Sequence, residues 1–153
     1  MSALPDLLPR FRPMRESDLD QVMQIEPLVY THPWTRGNFR DSLRAGYSCW
    51  VVECGGEFAG YAVLMIGVRE AHLLNLSIAL DWQGKGYGRG LLLHLIEIAR
   101  DCDAEHVFLE VRPSNVAARR LYAGEGFQEI TVRRGYYPSG PAREDAILMG
   151  LAL

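Results

Sequence analysis

Residues 83–90 read Gln-Gly-Lys-Gly-Tyr-Gly-Arg-Gly, with a glycine at every second position. The apolar run 71–80 before them predicts a strand. After them, Leu92, Leu95, Ile96 and Ala99 recur at helical spacing, which predicts an amphipathic helix over 91–102. Strand, glycine-rich turn and helix in that order commit the chain to an α/β fold. They also predict a ligand. The first N–H groups of a helix have no helical partner and, with the helix dipole, attract phosphate. Alternating glycines remove side chains that would block its approach, and Lys85 and Arg89 add positive charge. A Walker loop is excluded, because Lys85 is followed by Gly86 rather than Ser or Thr. A dinucleotide fingerprint is excluded too: from Gly84 the sixth place is Arg89, and from Gly86 it is Leu91. The string that fits is Q-x-x-G-x-G, on Gln83, Gly86 and Gly88. A turn without a ligand is the plainer alternative, but it does not need four alternating glycines.

The other elements follow from pattern. Strands are expected at 11–15, 47–53, 58–68, 106–111, 129–134 and 145–151. Gly55-Gly56 marks a hairpin turn. Helices are expected from Ser17 or Asp18 as N-cap to about Glu26, where Pro27 should end the first, and at 35–44 and 114–124, with Gly126 as a left-handed cap. The sum is a mixed, mostly antiparallel sheet of about seven strands flanked by about four helices. Residues 1–10, with Pro5 and Pro9, read as an extended arm before a single domain over 11–153.

Composition narrows the partners. A net charge of -3 argues against a general nucleic-acid surface. No apolar run reaches the roughly 20 residues of a membrane span, and 1–12 does not read as a signal peptide. Cys49, Cys54 and Cys102 are odd in number and form no C-x-x-C pair; they read as small buried hydrophobes in a reducing, cytoplasmic setting. The four histidines show no metal-ligand spacing, so no metal is expected.

With the loop, Asn115, Ala118, Leu121-Tyr122 and Gly126-Phe127 form an N-x-x-A, L-Y, G-F series. In these landmarks and in element order the chain resembles the GCN5-related N-acetyltransferase (GNAT) superfamily from about Phe11 onward. Leu109-Glu110-Val111-Arg112, Arg133-Arg134-Gly135-Tyr136-Tyr137-Pro138, Arg143-Glu144-Asp145-Ala146 and His32-Pro33-Trp34-Thr35 resemble, more narrowly, bacterial ribosomal-protein alanine N-acetyltransferases. That resemblance implies acetyl transfer from acetyl-CoA to a protein N-terminus, the N-terminal alanine of small-subunit ribosomal protein eighteen. A monomer or weak dimer is expected, with no direct nucleic acid and no membrane. A GNAT enzyme acting on lysine, a polyamine or another small amine is the alternative, and a non-catalytic acyl-CoA sensor is a third.

The resemblance assigns roles. Glu110, the acidic residue of an otherwise apolar strand, becomes the general base; an ion pair with Arg112 or Arg119 is its plainer reading. Tyr122 becomes the acid for the thiolate, or else a core tyrosine. Leu76, Ser77 and Ile78 lend backbone groups to pantetheine and thioester. Gln83, Gly84, Lys85, Gly86, Tyr87, Gly88 and Arg89 hold the pyrophosphate. Asn115 lines the cofactor, caps its helix, or does both. The acceptor would meet the 26–34 loop and 134–138, with Tyr136 and Tyr137 as walls. Glu26 reads as a solvated helix end, or as a partner for a basic second residue of the substrate.

Overall fold

The computed structural model describes residues 8–139 and 142–153, excepting the side chains of 136–139 and 142–143. Along the chain these residues form β1 (Pro9–Pro13), α1 (Leu19–Val29, after a 3-10 turn at Glu16–Asp18), α2 (Arg36–Arg44), β2 (Ser48–Cys54), β3 (Glu57–Ile66) and β4 (Glu70–Ile78). A 3-10 turn at Leu80–Trp82 follows, then α3 (Tyr87–Asp101), β5 (His106–Val111), α4 (Val116–Gly124), β6 (Gln128–Ser139) and β7 (Ala142–Ala152). The strands make one seven-stranded sheet in the order β1-β2-β3-β4-β5-β7-β6. β4 and β5 run parallel, while β1/β2, β5/β7 and β6/β7 are antiparallel. The expected fold class is the observed one.

The chain sorts into two compact units. The first takes in the described residues up to Ala62 together with Leu76–Leu92; the second is Val63–Asn75 with Leu93–Leu153. In the first unit, Gly55 and Gly56 both have positive φ, 59° and 80°, as a two-residue type I′ turn between β2 and β3 requires. Thr35 caps α2: its hydroxyl accepts from the Asn38 N–H at 3.2 Å, and the Asn38 carbonyl oxygen accepts from the Thr35 N–H at 2.9 Å. Phe39 of α2 is fully buried, edge-on to Tyr61 with centroids 5.6 Å apart.

Helix α1 departs from expectation at both ends. Asp18 makes no side-chain cap bond. It takes both ends of the Arg12 guanidinium at 2.8 Å and the Arg15 N–H at 2.7 Å, and Arg12 also pairs with Glu53. Pro27 lies inside the helix, which runs on to Val29. In the last turn the missing N–H removes a single helical bond, and the Tyr30 N–H donates to the Glu26 carbonyl at 3.2 Å beyond it.

In the second unit α4 closes as expected. Gly126 has φ of 97°, and the Phe127 N–H returns to the Tyr122 carbonyl at 3.0 Å. Strands β6 and β7 are longer than the sequence pattern suggested. A register shift between Arg133 and Tyr137 accommodates Gly135, at φ of 63°, and its N–H donates to Asp145 at 2.9 Å.

Cys49 and Cys54 are buried, but Cys102 is exposed, so the expectation of three buried thiols fails at one position. Burial pushes the Cys49 thiol up to about 11 and raises that of Cys54, which a hydrogen bond with Tyr87 only partly offsets. A maleimide at about pH 8 should therefore label Cys102 alone in the folded protein and all three thiols after denaturation, as read by intact mass.

Candidate active site

The predicted phosphate loop lies wholly in the first unit. Gly84 and Gly86 have φ of 74° and 87°, and a Cβ at either would meet nothing within 4 Å. These two positions need glycine for their backbone and open onto unfilled space. Gly88 and Gly90 instead lie inside α3, which starts at Tyr87 rather than Leu91. The Gly86 carbonyl accepts the Gly90 N–H at 3.1 Å, so Gly86 caps the helix. The first-turn N–H groups of Tyr87, Gly88 and Arg89 have no carbonyl a turn earlier in the helix. Lys85 holds its ammonium 5.3 Å from the Trp82 ring centroid, and Arg89 is exposed. Tyr87 turns its ring edge-on to Trp82 and bonds the Cys54 thiol, so its backbone is what it offers a ligand. Gln83 donates to the Ile78 carbonyl at 2.9 Å and ties the loop to the end of β4. The loop thus fits a pyrophosphate by open space, donors and charge.

The end of β4 sits in a hydrogen-bonded cluster that the sequence did not reveal. Glu26 is 1% exposed, not a solvated helix end. One of its oxygens accepts from the Tyr61 hydroxyl at 2.7 Å, the other from the Trp34 N–H at 3.0 Å. Tyr30 donates to the Leu76 carbonyl at 2.8 Å and lies 3.0 Å from the Ser77 hydroxyl. Burial first, then the charge of Glu26, pushes the Tyr30 phenol up to about 12, against a lowering bond from Ser77. Tyr61 is raised for the same first reason. Both tyrosines therefore stay neutral donors over any working pH. Glu26, sealed in this way, is not available to a substrate side chain. One local signal was present: Leu19, Val22 and Glu26, spaced three and four apart, share the buried stripe of α1.

The second unit holds the predicted acid and base. Along β5, Val107, Leu109 and Val111 are buried while His106, Phe108 and Glu110 are not, as strand alternation requires. The parallel register of β4 and β5 runs from Glu70/His106 to Leu73/Leu109. Glu110 is the first β5 residue beyond it. Neither Arg112 nor Arg119 is its ion-pair partner: Arg112 pairs with Glu144 at 3.4 Å and Arg119 with Glu129 at 3.5 Å. Arg133 approaches Oε1 of Glu110 at 3.6 Å. Oε2 is buried and has no hydrogen-bond partner among the described residues.

Asn115 does cap α4, accepting the Ala118 N–H at 3.3 Å through its side-chain oxygen, which leaves its amide N–H groups for other use. Tyr122 is 7% exposed and packs against Phe127, with ring centroids 5.7 Å apart. Glu144 accepts the Ser114 N–H at 2.8 Å as well as Arg112, so it steadies the loop between Glu110 and α4. Ser114 and Arg112 hold its carboxyl below the usual range. The side chains of Tyr136 and Tyr137 lie outside the described residues. Among the described residues no three His, Cys, Asp or Glu are grouped to hold a metal, and no helix is long and apolar enough to cross a membrane.

Known proteins supply the context for this geometry. The model of the acetyltransferase (GNAT) family matches residues 19–127. The chain is 36% identical over 140 residues to the ribosomal protein bS18-alanine N-acetyltransferase of Escherichia coli (strain K12), covering 92% of this chain and 95% of that protein. The enzyme of the same name from Haemophilus ducreyi is 32% identical over 139 residues, covering 90% and 96%. The crystal structure of the ribosomal-protein-S18-alanine N-acetyltransferase from Escherichia coli superposes with a TM-score of 0.88 at 35% identity, over 95% of this chain and 94% of that one. Ard1 from Thermoplasma volcanium shares the fold, with a TM-score of 0.86 at 24% identity and coverage of 95% and 97%.

Proposed function

The chain belongs to the GNAT family of acetyltransferases, and from that premise we propose that it moves the acetyl group of acetyl-CoA to a protein N-terminus, the N-terminal alanine of ribosomal protein bS18. The observation that carries the chemistry is Glu110. It is a partly buried carboxylate on an apolar strand, with one oxygen that no described residue engages. A buried carboxylate oxygen ordinarily has a hydrogen-bond partner, and this one stands ready for a proton that the Arg133 contact does not supply. The relatives' shared name supports the choice of acceptor.

The thioester supplies an activated acyl carbon. Its coenzyme is held by the 83–89 loop through Gln83, Gly84, Lys85, Gly86, Tyr87, Gly88 and Arg89, with Leu76, Ser77 and Ile78 giving backbone groups and Asn115 its amide. Glu110 takes a proton from the attacking amine, and the new C–N bond forms as the C–S bond breaks. Tyr122 gives its phenolic proton to the departing thiolate, and the transient phenolate is reprotonated before the next turnover. A carboxylate is a weak base, so the acceptor's own basicity decides how much it must do. An α-amino group, with a pKa of about 7.8, is neutral roughly 10–15% of the time at neutral pH. A lysine is neutral about 0.04% of the time, a gap worth roughly 3.5 kcal/mol. Glu110 suits the first acceptor far better than the second. On this reading 11–153 is one cytoplasmic domain that works as a monomer or weak dimer without nucleic acid or membrane.

The test is to incubate purified, unacetylated bS18 with acetyl-CoA and enzyme and map the product by peptide mass spectrometry. One acetyl group on the N-terminal alanine is expected. Acetyl groups on lysines alone would replace this reading with the lysine alternative.

A further inference from the structure

The cluster around Glu26 is not used by the chemistry above, yet it touches the strand end assigned to the thioester and the loop expected to meet the acceptor. We propose that Glu26 and Tyr30 are positioning residues that set the shape of the acceptor side. Glu26 fixes the Trp34 backbone, and Tyr30 fixes the Leu76 carbonyl. The inference rests on the reading of the acceptor as a peptide N-terminus.

The hydrogen-bond accounting favours one arrangement. Ser77 has a single hydroxyl proton and lies 3.0 Å from the Tyr30 oxygen but 3.5 Å from Glu26, so it donates to Tyr30. Tyr30 then spends its own proton on the Leu76 carbonyl. One Glu26 oxygen accepts from Tyr61 and the other from Trp34. Glu26 and Tyr30 are four residues apart, on successive turns at the end of α1. From there one reaches forward to the start of α2, and the other reaches across to β4. Pro27 lies between them in the last turn, where its missing N–H removes one helical bond. The residues between these anchors, Thr31 to Pro33, lie in a loop with no regular hydrogen bonding of their own. The two side chains therefore set where that loop begins and ends.

Stability alone explains the arrangement poorly. A carboxylate withdrawn from water is penalised, and an apolar side chain of similar volume often serves a fold as well or better. What an apolar residue cannot do is hold a backbone N–H at a set position.

The test uses the full chain, acetyl-CoA and a peptide with a free N-terminal alanine. Tyr30→Phe removes one oxygen from a partly exposed site and should raise the peptide KM about tenfold. The Leu76 carbonyl it releases lies on the strand assigned to the thioester, so kcat and the acetyl-CoA Kd should shift too, each by several-fold less than the peptide KM. Glu26→Leu keeps a similar volume but removes both acceptors, so exchange protection of the Trp34 amide, followed by NMR, should fall at least tenfold. An unchanged peptide KM in Tyr30→Phe, or losses spread equally over kcat, KM and coenzyme affinity, would overturn the positioning role. So would full Trp34 protection in Glu26→Leu. If the wild-type chain ignores the peptide, the acceptor reading falls, while the Trp34 amide still reports on the tie itself.

Discussion

Replacing Glu110 with glutamine should lower kcat by about 10² to 10⁴ and leave the acetyl-CoA Kd within twofold. Glutamine preserves volume and shape, so what is lost is the charge and the capacity to take a proton. Coenzyme affinity is expected to hold, because the loop assigned to the pyrophosphate draws on backbone N–H groups and on Lys85 and Arg89, not on β5. Some activity should remain from holding amine and thioester together. The fold should tolerate the change at modest expense, since the buried Oε2 position would carry an amide without a described acceptor, worth about 1–3 kcal/mol. Thermal unfolding beside the kinetics separates the two effects. An unchanged kcat would remove Glu110 from the mechanism.

Gly86→Asp should abolish useful coenzyme binding while the protein stays folded. Two facts make the variant informative. Gly86 is the cap of α3, its carbonyl taking the Gly90 N–H, and that bond is made by the backbone, so a side chain at 86 does not remove it. Aspartate also tolerates left-handed backbone better than most residues, which moderates the strain of a φ of 87°. Its carboxylate, however, would take the same first-turn N–H groups that a phosphate needs and would repel the phosphate besides. Losing two charge-assisted hydrogen bonds represents about 3 kcal/mol or more. The expected loss of affinity is at least about 100-fold by isothermal titration. Gly86→Ala carries the backbone strain without the charge and should lower thermal stability more than affinity. Normal acetyl-CoA affinity in Gly86→Asp would overturn the loop assignment.

Much of this was legible in the sequence because it is local. The strand alternation that sets Glu110 apart from Val107, Leu109 and Val111, the Gly55-Gly56 turn and the Gly126 cap each depend on a few neighbouring residues. What was misread depends on distant ones. Gly88 and Gly90 looked like loop because glycine disfavours helix; only the backbone shows that the left-handed positions end at Gly86. Pro27 looked like a terminator because the sequence does not show Glu26 being held from outside the helix. The donors that bury Glu26 include Tyr61, 35 residues away, and Tyr30 meets its acceptor Leu76 46 residues away. The plainer reading of Glu110 named nearby arginines, whereas the arginine that approaches it is Arg133, brought alongside by the β5-β7-β6 order.

Acetyl transfer to an N-terminal α-amine is tested most directly by coenzyme A release with two peptides. One carries a free N-terminal alanine and no lysine. The other has the same sequence with its terminus blocked and one internal lysine. Turnover is expected on the free terminus and none above background on the lysine. Turnover on the lysine peptide alone would contradict it.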